Sequence, residues 1–170
     1  MNQSINRINH LSPQQAEAEF LKCCGSTAWA KGMSDARPFA DPDHLTKEAD
    51  EIWWKLDADD WLEAFRAHPK IGEKKAAAAQ SAEAQRWSAQ EQSDTERAAA
   101  ETKAALADGN REYEQRFGFI FIICATGKSA EEILAALNGR VNNDPEGELR
   151  VAAEEQRKIT QLRLKKLLEN

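Results

Sequence analysis

Cysteine is scarce in this chain. Only Cys23, Cys24 and Cys124 occur in 170 residues. The count is odd and two of the three are adjacent, a spacing that does not bridge easily, so no disulfide framework is expected. No C-x-x-C metal pattern is present either. Long apolar runs are missing as well. The longest, FGFIFIICA, is far too short to span a bilayer. Positive charge is in deficit, with a formal net charge of -6. The one basic cluster, Arg163, Lys165 and Lys166, lies where it can complement a helix C-terminus, so a general nucleic-acid surface is not expected. The opening MNQSINRINH has neither a charged n-region nor an apolar h-region, and the closing LEN matches no peroxisomal address. A reducing cytoplasm is the expectation.

What remains reads as helix after helix. Ser12-Pro13 looks like an N-cap with Pro at N1, opening a helix through about Cys23. CGSTAWAKGMSDARPFADPD, rich in turn residues, reads as a loop. Asp43 is a plausible cap for a helix carrying Leu45, Ala49, Ile52, Trp53 and Leu56 at helical spacing. Asp59-Asp60-Trp61 starts a short helix that stops before Pro69, because the residue preceding proline avoids the α region. KKAAAAQSAEAQ is Ala-rich and helical. A new start follows at Ser88, with a long stretch from Ala89 to about Arg116 broken only by Gly109. Ser129 and Glu132 form a capping-box pattern, and Asp144-Pro145 opens the last helix. No repeat or linker divides the chain. The expected fold is all-α: one domain over residues 1–170, about seven or eight helices around one core, and one short extended segment. At this length roughly two thirds of the unfolded chain's surface can be buried without staples.

Four features exceed a plain helical bundle. The first is Ala67-His68-Pro69. His68 can be a helix C-terminal residue complementing the dipole, with Pro69 as the stop signal. It can also be a reactive imidazole whose backbone the proline fixes. The second is Trp87-Ser88-Ala89-Gln90-Glu91-Gln92. Ser88 and Glu91 have capping-box spacing, yet a helix N-terminus also offers free N–H groups to an anionic ligand. The third is the segment from Arg116 to Ala125, whose β-branched and aromatic residues read as extended and buried, without a clear partner strand. Its backbone groups must pair with side chains, with a helix end, or with a ligand rich in amide-like groups. The fourth is Arg163, in the middle of the apolar stripe of Leu149, Ala152, Ile159 and Leu167. It either snorkels to water or holds a carboxylate in a partly buried fork.

In this order, AHPKIG, W-S-A-Q-E-Q, Y-E-Q-RFGFIFIICA and K-I-T-Q-LRL resemble the family of 2-oxo-4-hydroxy-4-carboxy-5-ureidoimidazoline (OHCU) decarboxylases of urate breakdown. The likeness runs roughly from Phe20 to Leu168, and CGSTAWA and ARPFAD are similar to the family's early loops. It implies an all-α homodimer, cytoplasmic in a bacterial member, that converts OHCU to (S)-allantoin without metal or organic cofactor. No nucleic acid or membrane is involved. Residue by residue, it gives His68 as the catalytic histidine, Glu91 as its acidic partner and Pro69 as a substrate contact. Ser88, Ala89, Gln90, Glu91 and Gln92 would hold the ureidoimidazoline. The backbone of Phe121, Ile122, Ile123, Cys124 and Ala125 would contact it, and Arg163 would lie nearby. Ile120 departs from the pattern, since the family often has Pro there.

Two other classes compete with this reading. A helical interaction module would make His68 a cap, Ser88 and Glu91 a capping box, and Arg163 a snorkelling surface residue. A metal hydrolase has only His44 and Glu48 at i, i+4 in its favour, with no third ligand pattern. Cys124 reads as a small buried side chain.

Overall fold

Side-chain oxygens mark most of the described helix starts in this chain, though not that of the helix Ala100–Phe117, which follows Ala99. The computed structural model describes residues 2–71, 81–92 and 99–170. Among them lie nine helices: α1 (Gln3–His10), α2 (Pro13–Cys23), α3 (Thr27–Asp35), α4 (Pro42–Lys55), α5 (Ala58–Arg66), α6 (Ala82–Glu91), α7 (Ala100–Phe117), α8 (Ala130–Arg140) and α9 (Pro145–Glu169). The all-α expectation holds. Two of the nine were not placed by the sequence. One is α1, capped by Asn2, whose Oδ1 accepts from the N–H groups of Ser4 and Ile5. The other is α3, inside the stretch read as a loop, where Ser26 Oγ accepts from Trp29 N.

The other boundaries follow the same logic. Ser12 and Gln15 form a reciprocal capping box at α2. Asp41, not Asp43, caps α4: its carboxylate accepts from His44 N at 2.7 Å, and Pro42 occupies the first turn. Ser129 caps α8 as expected. Ser88 starts no helix. It lies inside α6, whose cap is Ser81, and Gln92 N–H donates to Ser88 O at 3.2 Å to close the last turn. The Ala-rich residues 74–80 lie outside the described residues.

The chain divides into two compact units, Met1–Ala64 with Arg157–Asn170, and Phe65–Gln156. In the first, α3 packs on both α2 and α4. Phe20 meets Trp29 and Phe39 edge-on, with ring centroids 5.9 and 6.2 Å apart. Buried Trp29 and Trp61 each satisfy an indole N–H on a carbonyl of α4, Ala49 and Trp53 respectively. Large rings with a satisfied polar edge thus fill an otherwise Ala-rich interior.

In the second unit α7 packs on α8. Gly109 permits this approach, since a Cβ there would lie 2.6 Å from Leu137 Cδ2. Leu106, Tyr113, Phe121, Ile123, Ile133 and Leu137 form the core. Gly118 ends α7 at φ 79°, the left-handed region glycine tolerates. Residues 119–125 then run without secondary structure through this core.

Candidate active site

Residues 119–125 make the backbone accounting concrete. No strand partners them among the described residues. Side chains do that work instead. Arg140 Nη1 donates to Ile122 O at 2.7 Å, and Cys124 N–H donates to Glu155 Oε1 at 3.4 Å. Lys128 N–H closes on Ala125 O. Arg140 is itself fixed by Glu148, fully buried, whose Oε1 accepts from Arg140 Nε at 2.7 Å and from Tyr113 Oη at 2.5 Å. Asn143 Nδ2 donates to the other oxygen at 3.0 Å. The guanidinium lies over the Phe121 ring, 4.5 Å from its centroid. Burial pushes the Tyr113 hydroxyl well above its ordinary range, and the Glu148 hydrogen bond adds to that.

His68 follows α5 by two residues. Its N–H donates to Phe65 O at 3.1 Å, closing the turn that Pro69 then stops. The segment is tied on both sides. Phe65 packs on Phe119 at 5.5 Å, and Asn110 Nδ2 donates to Ile71 O at 3.3 Å. Lys70 pairs with Glu114 at 2.8 Å. The half-buried imidazole contacts α9: Nε2 lies 2.6 Å from Gln156 Oε1. His68 and Pro69 thus bear out the helix-end reading, and the ring is also held in a specific contact.

The helical turn of α6 separates the five residues expected to act together. Ala84, Trp87 and Ser88 are buried, and Glu91, one turn beyond Trp87 on that face, is half-buried. Ala89 and Gln90 point away and are exposed, while Gln92 is half-buried. Because Ser88 is interior to the helix, its N–H is not an open donor at a helix start, and the anion-site reading of that motif fails. Glu91 keeps an electrostatic link to Cys124. The Cys124 thiol is raised by burial first and then by Glu155, with a smaller push from Glu91. One turn of α9 therefore reaches both the His68 ring and the Cys124 amide. Gln156 holds His68, Glu155 holds the Cys124 amide, and Glu91 acts on the same cysteine.

Arg163 belongs to the first unit. It is 3 % exposed, so it does not snorkel. Its Nη1 donates to Lys22 O at 3.4 Å. It also faces Cys24, whose thiol is pushed up to about 11 by complete burial, with Ser26, Thr160 and Arg163 pulling the other way. An unfolded chain releases this proton near pH 9. Cys24 therefore contributes stability that is present below pH 9 and lost as pH rises through 11, about 2–3 kcal/mol in all. Urea midpoints at pH 8.5 and 10.5 should show this loss, and Cys24→Ala should flatten the slope. An equal slope in both proteins would remove Cys24 as its source.

His44 has a local task. Its Nδ1 accepts from Ala40 N at 3.0 Å, its ring meets Phe39 edge-on, and Nε2 lies 3.6 Å from Glu48. Sequence reading missed Glu155, Gln156, Arg140 and Glu148. The first two carried a usable signal. They sit three and four residues after Ala152 in the stripe that made Arg163 conspicuous, polar where the helix period asks for apolar.

Fold and site together define a class: a small helical protein with a histidine held by an amide and an extended segment braced by side chains. The family model for OHCU decarboxylase matches residues 9–165. A uric acid degradation bifunctional protein of Arabidopsis thaliana is 41% identical over 152 residues, 89% of this chain and 47% of that protein. The chain thus spans about half the length of that relative. The 2-oxo-4-hydroxy-4-carboxy-5-ureidoimidazoline decarboxylase of Haloferax volcanii is 30% identical over 162 residues, covering 95% of this chain and 94% of that one. A crystal structure of OHCU decarboxylase in the presence of (S)-allantoin superposes with TM-score 0.78 at 40% identity, covering 89% of this chain and 98% of that chain. The chain belongs to the OHCU decarboxylase family.

Proposed function

We propose that this protein decarboxylates OHCU to (S)-allantoin in urate catabolism. The observation that carries the reading is the 89% overlap, at 40% identity, with a decarboxylase structure determined in the presence of (S)-allantoin. The uninterrupted family match over residues 9–165 supports treating residues 1–170 as one functional domain.

The chemistry suits the residues. Breaking the bond to the carboxylate releases CO₂ and leaves its electron pair on the ring carbon. The adjacent ring C=N bond takes up that pair, so the reaction proceeds without metal or organic cofactor in this reading. The protein's part is to turn the carboxylate out of the ring plane, stabilise the enolate-like charge and deliver a proton to one face. His68, with imidazole's two forms accessible near neutrality, is the general acid/base. Glu91 takes a proton from the substrate hydroxyl or ring nitrogen. Pro69, Ser88 and Gln92, with Ala89 and Gln90 between them, form the substrate-holding stretch, and the backbone of Phe121 to Ala125 supplies amide contacts. Arg163 is assigned the anion by the resemblance. A homodimer in the cytoplasm completes the proposal.

The test generates OHCU freshly from urate with the upstream enzymes and follows allantoin by circular dichroism. One enantiomer should form rapidly when this protein is added. Racemic product at the unaided rate would overturn the proposal.

A further inference from the structure

The buried polar stripe of α9 holds an unusual pair. Gln156 is fully buried, and its Oε1 lies against the His68 ring nitrogen Nε2 from 88 positions away in sequence. An amide oxygen can only accept, so with Oε1 toward the ring the 2.6 Å contact is a hydrogen bond in the tautomer that carries its proton on Nε2. A neutral imidazole that carries its proton on Nε2 has its basic lone pair on Nδ1. Glu155, the preceding residue, is committed to the Cys124 amide. Consecutive residues of one helix thus brace the histidine and the extended segment at once.

We infer that Gln156 is a positioning residue: by accepting from Nε2–H it fixes the His68 tautomer and ring plane, so that the proton exchanged with the substrate moves at Nδ1. This rests on the proposed decarboxylase function for its substrate but not for its geometry. A neutral amide suits the task. It orients the ring without adding a charge that would lock the imidazolium form. The charged groups of this unit, Glu91, Glu155 and Lys128 about Cys124 and the Lys70–Glu114 pair, remain in every variant used below.

The first measurement needs no substitution. The chain has three histidines. Long-range proton–nitrogen correlation on ¹⁵N-histidine protein, with the His68 signals assigned by their loss in His68→Asn, should show a pyrrole-type Nε2 and a pyridine-type Nδ1. The reversed pattern would mean that Gln156 donates instead, and would overturn the inference. The second uses Gln156→Glu, which places a carboxylate against the ring. The His68 titration should move up by about one to three pH units, and the pH profile of kcat should move with it. Gln156→Leu should lower kcat about tenfold or more with KM within about twofold. A pH profile unmoved in Gln156→Glu would sink the positioning role. Should His68→Asn retain activity, the decarboxylase assignment of His68 fails, while the tautomer result stands or falls separately.

Discussion

His68→Asn should lose at least about a hundredfold in stereospecific turnover, and up to about ten thousandfold, while remaining folded. The asparagine side chain is close in size to the near half of the imidazole. Its amide N–H lies where the ring's near edge was, short of the Gln156 Oε1 that Nε2 reaches at 2.6 Å. Nor can it gain and lose a proton near neutral pH. The variant therefore removes the proton chemistry and the Gln156 contact together, whereas Gln156→Leu removes the contact alone. The surrounding braces do not use the ring: the His68 N–H on Phe65 O, the Phe65–Phe119 contact and the Asn110–Ile71 bond are all preserved. The far-ultraviolet spectrum and the urea midpoint should match the wild type closely. The allantoin that still forms should approach a racemate, because the unaided reaction then competes. A near-wild-type rate of one enantiomer would remove His68 from the chemistry and leave it a helix-terminating residue.

The parts of this molecule legible in sequence are those written in neighbouring residues. Ser12, Pro13 and Gln15 spell a capping box within four positions, and α2 starts there. The same grammar misled at Ser88, because S-x-x-E reads identically at a helix start and inside a helix already running from Ser81. Helix α3 was hidden for the opposite reason. Its glycine and serines look like a turn, but buried Trp29 and Met33 make tertiary packing decide. Gly32 is there because a Cβ would meet Ile52 Cγ2 at 2.9 Å. At the site, His68 and Glu91 stood out as chemistry-bearing types in recognisable motifs. Gln156 and Glu155 did not, since their meaning lies in contacts made 88 and 31 positions away. The extended segment was legible as extended, but what satisfies its backbone was not, because the donors and acceptors come from α8 and α9.

Arg140→Met should destabilise the protein by about 3–5 kcal/mol, the usual cost of stranding one member of a buried ion pair. Glu148 has no exposed side-chain surface and Arg140 only 12 %. Without the guanidinium, the carboxylate keeps Tyr113 and Asn143 as donors but loses its only charge partner among the described residues. Glu148→Gln should cost less, because a neutral amide oxygen still accepts from Tyr113 and Arg140. The double change Arg140→Met with Glu148→Leu should recover much of the loss, since it leaves no buried charge. Urea unfolding of the wild type, Arg140→Met, Glu148→Leu and the double variant closes the cycle, and an Arg140→Met variant within 1 kcal/mol of wild type would show the pair to be energetically idle. The pair's purpose is then read from the double variant. Arg140 also holds the Ile122 carbonyl and covers the Phe121 ring. A protein restored in stability but lacking that hydrogen bond should exchange the amide protons of residues 121–125 faster and bind substrate more weakly. A costly buried pair is retained where its orientation of neighbouring backbone matters more than its net stability. A double variant equal to the wild type in both exchange and KM would reduce Arg140 and Glu148 to packing.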